Sequence, residues 1–286
     1  MIELPSRVPP DRPVTNEEVL RFEHVSVSFG DVPALQDVSF RIAKGQVRII
    51  FGAAGSGKSV ALKTALGLVR PDSGRVYLFG EDVTDFNEDQ LFAFRARIGV
   101  LFQEGGLFDS LTIEENVAYP IVNRNIALRQ SKNGEVLARV KESLTFVELG
   151  DTLDKFPSEL SGGMRRRVGI ARAMVTQPAL MLYDSPTAGL DPITANTIIA
   201  LIVKARDTRD TTTLVVTHRY QDGHLLANFR YNPQSDLIEP APADSGIHAR
   251  TIFMVFEEGR LAFEGTQEQL EQQTDPYIAK FKLPKS

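Results

Sequence analysis

The stretch Gly52-Ala53-Ala54-Gly55-Ser56-Gly57-Lys58-Ser59 constrains this chain more than any other. It follows Val47–Phe51, a continuous apolar run broken only by Arg48, and it leads into Val60–Val69, whose apolar residues recur at helical spacing. A run that is apolar on both faces reads as a strand buried within a parallel sheet. The local order is therefore strand, glycine-rich turn, helix. Glycines let successive backbone N–H groups converge on one point, and the start of the helix adds its positive dipole end. Lys58 and Ser59 complete a cradle for a polyphosphate: the lysine reaches the outer phosphates and the hydroxyl is placed to ligate Mg²⁺.

The rest of the chain supplies an α/β framework for such a turn. Further strands are expected at Leu20–Phe29 (with one slip of register), Val38–Ile42, Val76–Phe79, Ile98–Phe102, Leu180–Tyr183, Leu214–Thr217, Thr251–Phe256 and Arg260–Phe263. Of these, Val76–Phe79, Ile98–Phe102, Leu180–Tyr183 and Leu214–Thr217 read as buried. Helical spacing is expected over Glu88–Arg97, Ile113–Val122, Glu135–Leu149, Met164–Thr176 and Ile193–Arg206. Strands alternating with helices imply a sheet with parallel strands and crossovers. Residues 1–18, with Pro5, Pro9, Pro10 and Pro13, read as a flexible tail and lack the apolar core of a signal peptide. Asn232–Arg250, rich in Pro, Asp and Ser, reads as a surface loop inserted among strands. Thr266 and Gln269 have capping-box spacing for a helix to about residue 273, followed by a short amphipathic tail carrying Tyr277, Ile278 and Phe281.

Composition narrows the function. The 286 residues carry a formal charge of -5, which argues against a protein whose main task is to coat nucleic acid. With no cysteine, zinc ribbons and thiol nucleophiles are excluded. No apolar stretch approaches the roughly 18 residues of a membrane span, so any membrane role runs through a partner.

Other segments carry chemistry of their own. Ser161-Gly162-Gly163-Met164 followed by Arg165-Arg166-Arg167 opens a helix with exposed backbone donors and a hydroxyl. It reads either as a plain N-capped helix or as a second phosphate-binding end serving a nucleotide held by another copy. Asp184 ends the strand Leu180–Tyr183, where a carboxylate can hold the Mg²⁺ shell. His218 follows the strand Leu214–Thr217 in the same topological place, at the carboxyl ends of strands where ligands sit.

These segments in this order resemble the ABC-type ATPase cassette over about residues 20–265. The resemblance implies a P-loop NTPase fold with a mixed-sheet RecA-like core, an antiparallel β subdomain and a helical signature subdomain over about 88–176. It also implies roles. Phe29 is similar to the aromatic that stacks on adenine, Gly52–Ser59 to Walker A, and Gln103 to the Q-loop glutamine that touches Mg²⁺ or the attacking water. Ser161–Met164 matches the signature, Asp184 the Walker B aspartate, Gly189-Leu190-Asp191-Pro192 the D-loop, and His218 the switch histidine. The family further implies ATP and Mg²⁺ as cofactors, a head-to-tail dimer with a second copy, and an integral membrane permease at the cytoplasmic face of the inner membrane. Met164 with its basic run, Gly105-Gly106-Leu107-Phe108 and Asp275-Pro276-Tyr277 resemble the Mla/MCE-type ATPases, which implies phospholipid cargo and an MCE-type lipid-binding protein in the complex. The basic run also reads as a solvated helix face, and Phe108 as core.

One position departs from the family. Where a glutamate follows the Walker B aspartate as general base, this chain has Ser185. A serine hydroxyl is no base near neutral pH, and losing a positioned base costs on the order of 10²- to 10⁴-fold. Asp191 of a second copy, or His218, could order the water instead. The alternatives are a slow ATPase paced by its membrane partner and an ATP-gated dimerising clamp. Chromosome-maintenance ATPases need a long coiled-coil insertion, for which the span from Gln103 to Ser161 is too short. Translation-associated relatives need two cassettes in one chain.

Overall fold

The structure, a computed structural model, describes residues 18–103, 105–124, 133–209, 211–242 and 245–282. The expected N-terminal tail lies outside these residues except for Glu18, which already belongs to a strand.

Two sheets and a helical layer stack face to face. The first sheet is antiparallel, with strands β1 (Glu18–Phe29), β2 (Val32–Ala43), β4 (Ser73–Leu78) and β5 (Glu81–Asp82) in the order β2-β1-β4-β5. The expected slip in β1 is present as register shifts between Phe22 and Ser28. The second sheet has the order β12-β11-β3-β8-β7-β6, built from β3 (Val47–Gly52), β6 (Ile98–Leu101), β7 (Leu180–Asp184), β8 (Thr212–Val216), β11 (Thr251–Glu257) and β12 (Arg260–Gly265). All its pairings are parallel except that of β12 with β11. The helices are α1 (Lys58–Ala65), α2 (Glu88–Arg95), α3 (Ile113–Arg124), α4 (Asn133–Phe146), α5 (Gly162–Met174), α6 (Pro192–Arg209), α7 (Tyr220–Asn228), α8 (Ile247–Arg250) and α9 (Gln267–Gln272). Among the described residues, no helix is long and apolar enough to cross a membrane.

Strand periodicity sends alternate residues of β3 into different cores. Val47, Ile49 and Phe51 join α3, α5, α6 and α7 on one side. Ile50 joins α1, α2 and the antiparallel sheet on the other. Arg48, the one charge in the run, is buried and tied off: its guanidinium donates to Glu264 of β12 at 2.6 Å and to the Arg41 carbonyl of β2 at 2.7 Å. Burial lowers its pKa, and the charge of Glu264 opposes that. A buried charge with a hydrogen-bonded counter-ion is tolerable where a lone one is not. Here the pair joins the two sheets.

Two expectations need correction. Val76–Phe79 is not a strand buried on both faces: β4 lies in the antiparallel sheet and its side chains alternate between buried and open. The strand expected at Ile98–Phe102 is present as β6, the edge strand of the main sheet. Asn232–Arg250 is not an irregular loop. β9 (Phe229–Asn232) and β10 (Leu237–Pro240) pair as a hairpin, and α8 follows after 243–244, which fall outside the described residues. Lys204 of α6 bonds Asp236 at 2.6 Å, and Tyr231 and Ile238 pack against the helical core. A polar surface hides such strands, because only one residue in two meets the core.

Gly223 of α7 sits directly over the β3–β11 face. A β-carbon there would lie 2.8 Å from Phe253 and 2.9 Å from the Phe51 ring. Alanine improves helix propensity by about 1 kcal/mol, whereas forced overpacking of rigid rings costs about 1–3 kcal/mol. Overpacking wins. Gly223→Ala is expected to lower the urea midpoint with an unchanged m-value.

Candidate nucleotide site

The parallel ladder determines which residues can meet. Ile50 of β3 pairs with Val216 of β8, and Val216 pairs with Asp184 of β7. The row continues one residue further, with Thr217 N–H donating to the Ile50 carbonyl at 3.0 Å and Ser185 N–H to the Val216 carbonyl at 2.9 Å. Gly52, His218 and Asp184 therefore leave the sheet at one edge. On the far side of β7, Leu101 of β6 pairs with Tyr183, which puts Gln103 at that edge too.

The phosphate loop is held by close packing. Gly52 is tight because a β-carbon would strike the Phe256 carbonyl and the Ser56 hydroxyl. Gly57 has φ 99°, open only to glycine at low cost, and faces the Ala34 carbonyl. Gly259 N–H donates to the Ser56 carbonyl at 3.2 Å, and its own carbonyl accepts from Gln36 N–H at 2.8 Å. So the β1–β2 arm, the β11–β12 turn and the loop touch one another. Phe29, at the end of that arm, is 55% exposed, a free ring available for stacking. Ala53, Ala54 and Gly55 are exposed, while Ser56 and Gly57 are buried and Ser59 opens α1 beside Lys58.

Lys58 Nζ donates to the Gly52 carbonyl (2.9 Å), the Ala53 carbonyl (2.6 Å) and the Ser56 hydroxyl (3.2 Å). Burial holds its ammonium below the ordinary lysine value, and the Asp184 carboxylate opposes that. The ammonium thus feels the charge of Asp184. Ser59 hydroxyl, Asp184 carboxylate and Gln103 amide are hard oxygen donors, and among the described residues no cluster of three His, Cys, Asp or Glu could cage a metal. That donor set fits Mg²⁺, which is bound through one or two carboxylates together with phosphates.

Ser185 occupies a left-handed backbone conformation, φ 49°. Its hydroxyl donates to Asp184 Oδ1 at 3.0 Å. Its carbonyl accepts from Arg166 at 3.0 Å, and the same guanidinium bonds the Ala188 carbonyl at 3.0 Å. The basic run is therefore not a solvated face. Arg165 returns to the Leu160 carbonyl, Arg166 is buried against the turn after Asp184, and Arg167 reaches the Val147 carbonyl and Glu148. Phe108, for which core was the alternative reading, is 41% exposed and packs on Tyr119.

Ser161 caps α5, its hydroxyl accepting from Met164 N–H at 3.2 Å. Ser161 and Gly162 are exposed; Gly163 is buried against Thr194 of α6. Among the described residues, no hydrogen bond joins Ser161–Gly163 to Gly52–Ser59. Asp191 is exposed and caps α6, accepting from Ile193 and Thr194 N–H at 3.0 Å each. The bonds from Thr194, foremost, hold its carboxyl below the usual value. His218 is exposed just past β8. One edge of a single chain thus gathers Gly52–Ser59, Gln103, Asp184, Ser185 and His218, with Ser161–Gly163 unjoined to the phosphate loop.

Motif reading missed Asp222. Fully buried on the first turn of α7, its Oδ2 accepts from Thr187 at 2.5 Å and Thr217 at 2.6 Å, which pins the turn after Ser185 to the segment bearing His218. The only advance signal was an acidic residue one helical turn beyond His218. Burial pushes this carboxyl up, against the two threonine bonds and the charges of Arg219 and His218. A carboxyl whose folded pKa exceeds its unfolded value of about 4 favours the native state while protonated. That contribution is complete below the unfolded pKa and is lost as pH rises through the folded one. Asp222→Asn cannot ionise, so its stability relative to the parent should rise as the pH increases above about 4, measured as paired urea midpoints.

Comparison with known proteins fits this geometry. Residues 35–188 match the family model described as ABC transporter. The chain is 40% identical over 191 residues to the probable ribonucleotide transport ATP-binding protein mkl of Mycobacterium tuberculosis, covering 67% of this chain and 52% of that protein. It is 40% identical over 205 residues to the methionine import ATP-binding protein MetN of Rhizobium etli, covering 72% and 55%. The chain thus spans about half the length of the curated relatives it matches. Among solved structures, the dimeric bacterial ABC transporter cassette MJ0796 superposes with a TM-score of 0.72 at 28% identity, covering 87% of this chain and 98% of that one. CbiO1 of Clostridium perfringens, part of the transporter complex cbiONQ, gives 0.73 at 25% identity, covering 91% and 92%. With the family's sequence match over more than half its length and the cassette fold over 87% of it, this chain belongs to the ABC transporter family as an ATP-binding cassette.

Proposed function

We propose that this chain is the ATP-binding and ATP-hydrolysing subunit of a membrane transporter, acting as a head-to-tail pair of copies docked on an integral permease at the cytoplasmic face of a bacterial inner membrane. The observation that carries the reading is the shared sheet edge of Gly52–Ser59, Asp184 and His218. Lys58 swings from its carbonyl partners to the outer phosphates, and its lowered pKa is offset once anionic oxygens surround it. Ser59 and Asp184 would hold Mg²⁺, which supplies charge neutralisation on the phosphates when bound. Phe29 stacks on the base. Ser161–Gly163, unjoined to its own loop, serves the nucleotide of the other copy through exposed N–H groups and a hydroxyl.

Water attack needs an acceptor. The Ser185 hydroxyl is committed as a donor to Asp184 and takes no proton at neutral pH. We infer that His218 of the same copy, or Asp191 of the second, orients the water, so that hydrolysis is slow and rests mainly on positioning and charge stabilisation. The Ser185 geometry equally supports a second reading, an ATP-gated clamp that dimerises and scarcely hydrolyses.

For cargo we propose phospholipid or another lipid, with an MCE-type lipid-binding protein in the complex. Its support is the set of residues resembling the Mla/MCE-type ATPases: Met164 with Arg165–Arg167, Gly105–Phe108, and Asp275–Tyr277. The names of the curated relatives specify ribonucleotide and methionine transport for those proteins. Phospholipid movement between labelled vesicles by the complex with its permease, dependent on ATP, is the outcome expected; movement of methionine or ribonucleotide instead would replace the lipid reading.

Single-turnover hydrolysis of Mg-ATP by the complex tests the motor. The parent should turn over, Lys58→Ala should not, and His218→Ala should slow the step by at least about tenfold. Ser185→Glu should accelerate it by about 10²-fold or more. Turnover confined to Ser185→Glu would establish the clamp instead.

A further inference from the structure

The C-terminal segment reaches the phosphate loop directly. After α9, Asp275 Oδ1 accepts from the N–H groups of Tyr277 (2.8 Å) and Ile278 (3.1 Å), starting a short 3₁₀ turn over Ile278–Phe281. Ile278 and Phe281 are buried. The Phe281 ring stacks on Phe51, the residue just before Gly52, with centroids 5.9 Å apart and planes within 8°. Tyr277 lies edge-on to Phe281 at 5.4 Å. This fixes its hydroxyl between two backbones: it accepts from Ala53 N–H at 3.0 Å and donates to the Phe256 carbonyl at 2.9 Å.

That placement extends the sheet by one step. The β3–β11 ladder ends at the pair Gly52 and Phe256, where the loop leaves the sheet. The tyrosine hydroxyl supplies the acceptor and donor that a further strand residue would have supplied. Lys58 meanwhile holds the same loop from the carbonyl side, at Gly52 and Ala53. When Lys58 turns to phosphate, those bonds are given up. The bond at Ala53 N–H does not compete with phosphate for the lysine and stays. The other end of the segment is anchored near the switch histidine: Gln267 of α9 donates to the Tyr220 hydroxyl and accepts from Asn228, both on α7.

We propose that Tyr277 is a positioning residue for nucleotide binding, its hydroxyl fixing the first exposed amide of the phosphate loop so that the C-terminal segment sets the affinity for ATP. The proposal rests on the nucleotide reading above. It is tested on the full chain with Tyr277→Phe, which keeps the ring and removes only the hydroxyl, beside Phe281→Leu, which loosens the tail and keeps the hydroxyl. Mg-ATP affinity by titration calorimetry should weaken about three- to tenfold in Tyr277→Phe, the value of one hydrogen bond. In the permease complex KM should rise with kcat unchanged, the mark of lost uniform binding; a merely loosened fold would lower the active fraction and kcat. Amide exchange at Ala53 should quicken without nucleotide, while the β7–β8 amides stay protected. Phe281→Leu should weaken affinity less than Tyr277→Phe. Parent affinity in Tyr277→Phe, or unchanged exchange at Ala53, overturns the proposal. A parent chain that binds no Mg-ATP overturns the nucleotide reading itself, and this proposal with it.

Discussion

Everything at the nucleotide edge depends on the burial of β3 between two parallel neighbours. All six residues from Val47 to Gly52 are buried, paired with β11 on one side and β8 on the other. A strand in that position has no freedom of register, because a slip of one residue would exchange Ile49 and Phe51 for Arg48 and Ile50 between two different cores. The loop that follows therefore starts at a fixed height. So do the ends of β8 and β7, which are set by the same ladder. Chemistry carried by residues far apart in sequence is brought to one line by backbone hydrogen bonds alone. The side chains then need only local adjustment.

What could be read in advance follows from this. The buried strands β3, β7, β8 and β11 announce themselves as apolar runs because both their faces are covered. The residues at the ends of three of them, Gly52, Asp184 and His218, could be located before their contacts were known. The β9–β10 hairpin escaped because its outward face is polar and its turn carries Asn232, Pro233 and Ser235, which look like a loop. β4 was read as a buried strand because a short apolar stretch does not reveal whether one face or two are covered. The longest-range features were invisible. Nothing near Tyr277 in the sequence points to Ala53, and nothing near Asp222 points to Thr187. Such pairs exist only once the sheet order is known.

Several long-range polar contacts share one architectural theme: each joins segments that are not neighbours in a ladder. Arg48 joins the central strand to the antiparallel sheet, and Asp222 joins the turn after β7 to the start of α7. Arg172 of α5 bonds the carbonyls of Gly105 and Gly106 beyond the Gln103 segment. A turn without its own ladder has carbonyls to satisfy, and a long guanidinium can reach two of them at once. Turns are thereby given specific positions without lengthening any strand.

Arg166 gives that theme a mechanical meaning. It projects from α5, the helix whose first turn carries Ser161, Gly162 and Gly163, and its guanidinium holds both the Ser185 and the Ala188 carbonyls. Helix and turn are thereby geared together. A rotation of α5 that tilts its capped end outward must carry Ser185 with it or break two charge-assisted bonds in a buried place. The exposed start of α5 and the backbone beside Asp184 are thus linked through a single side chain.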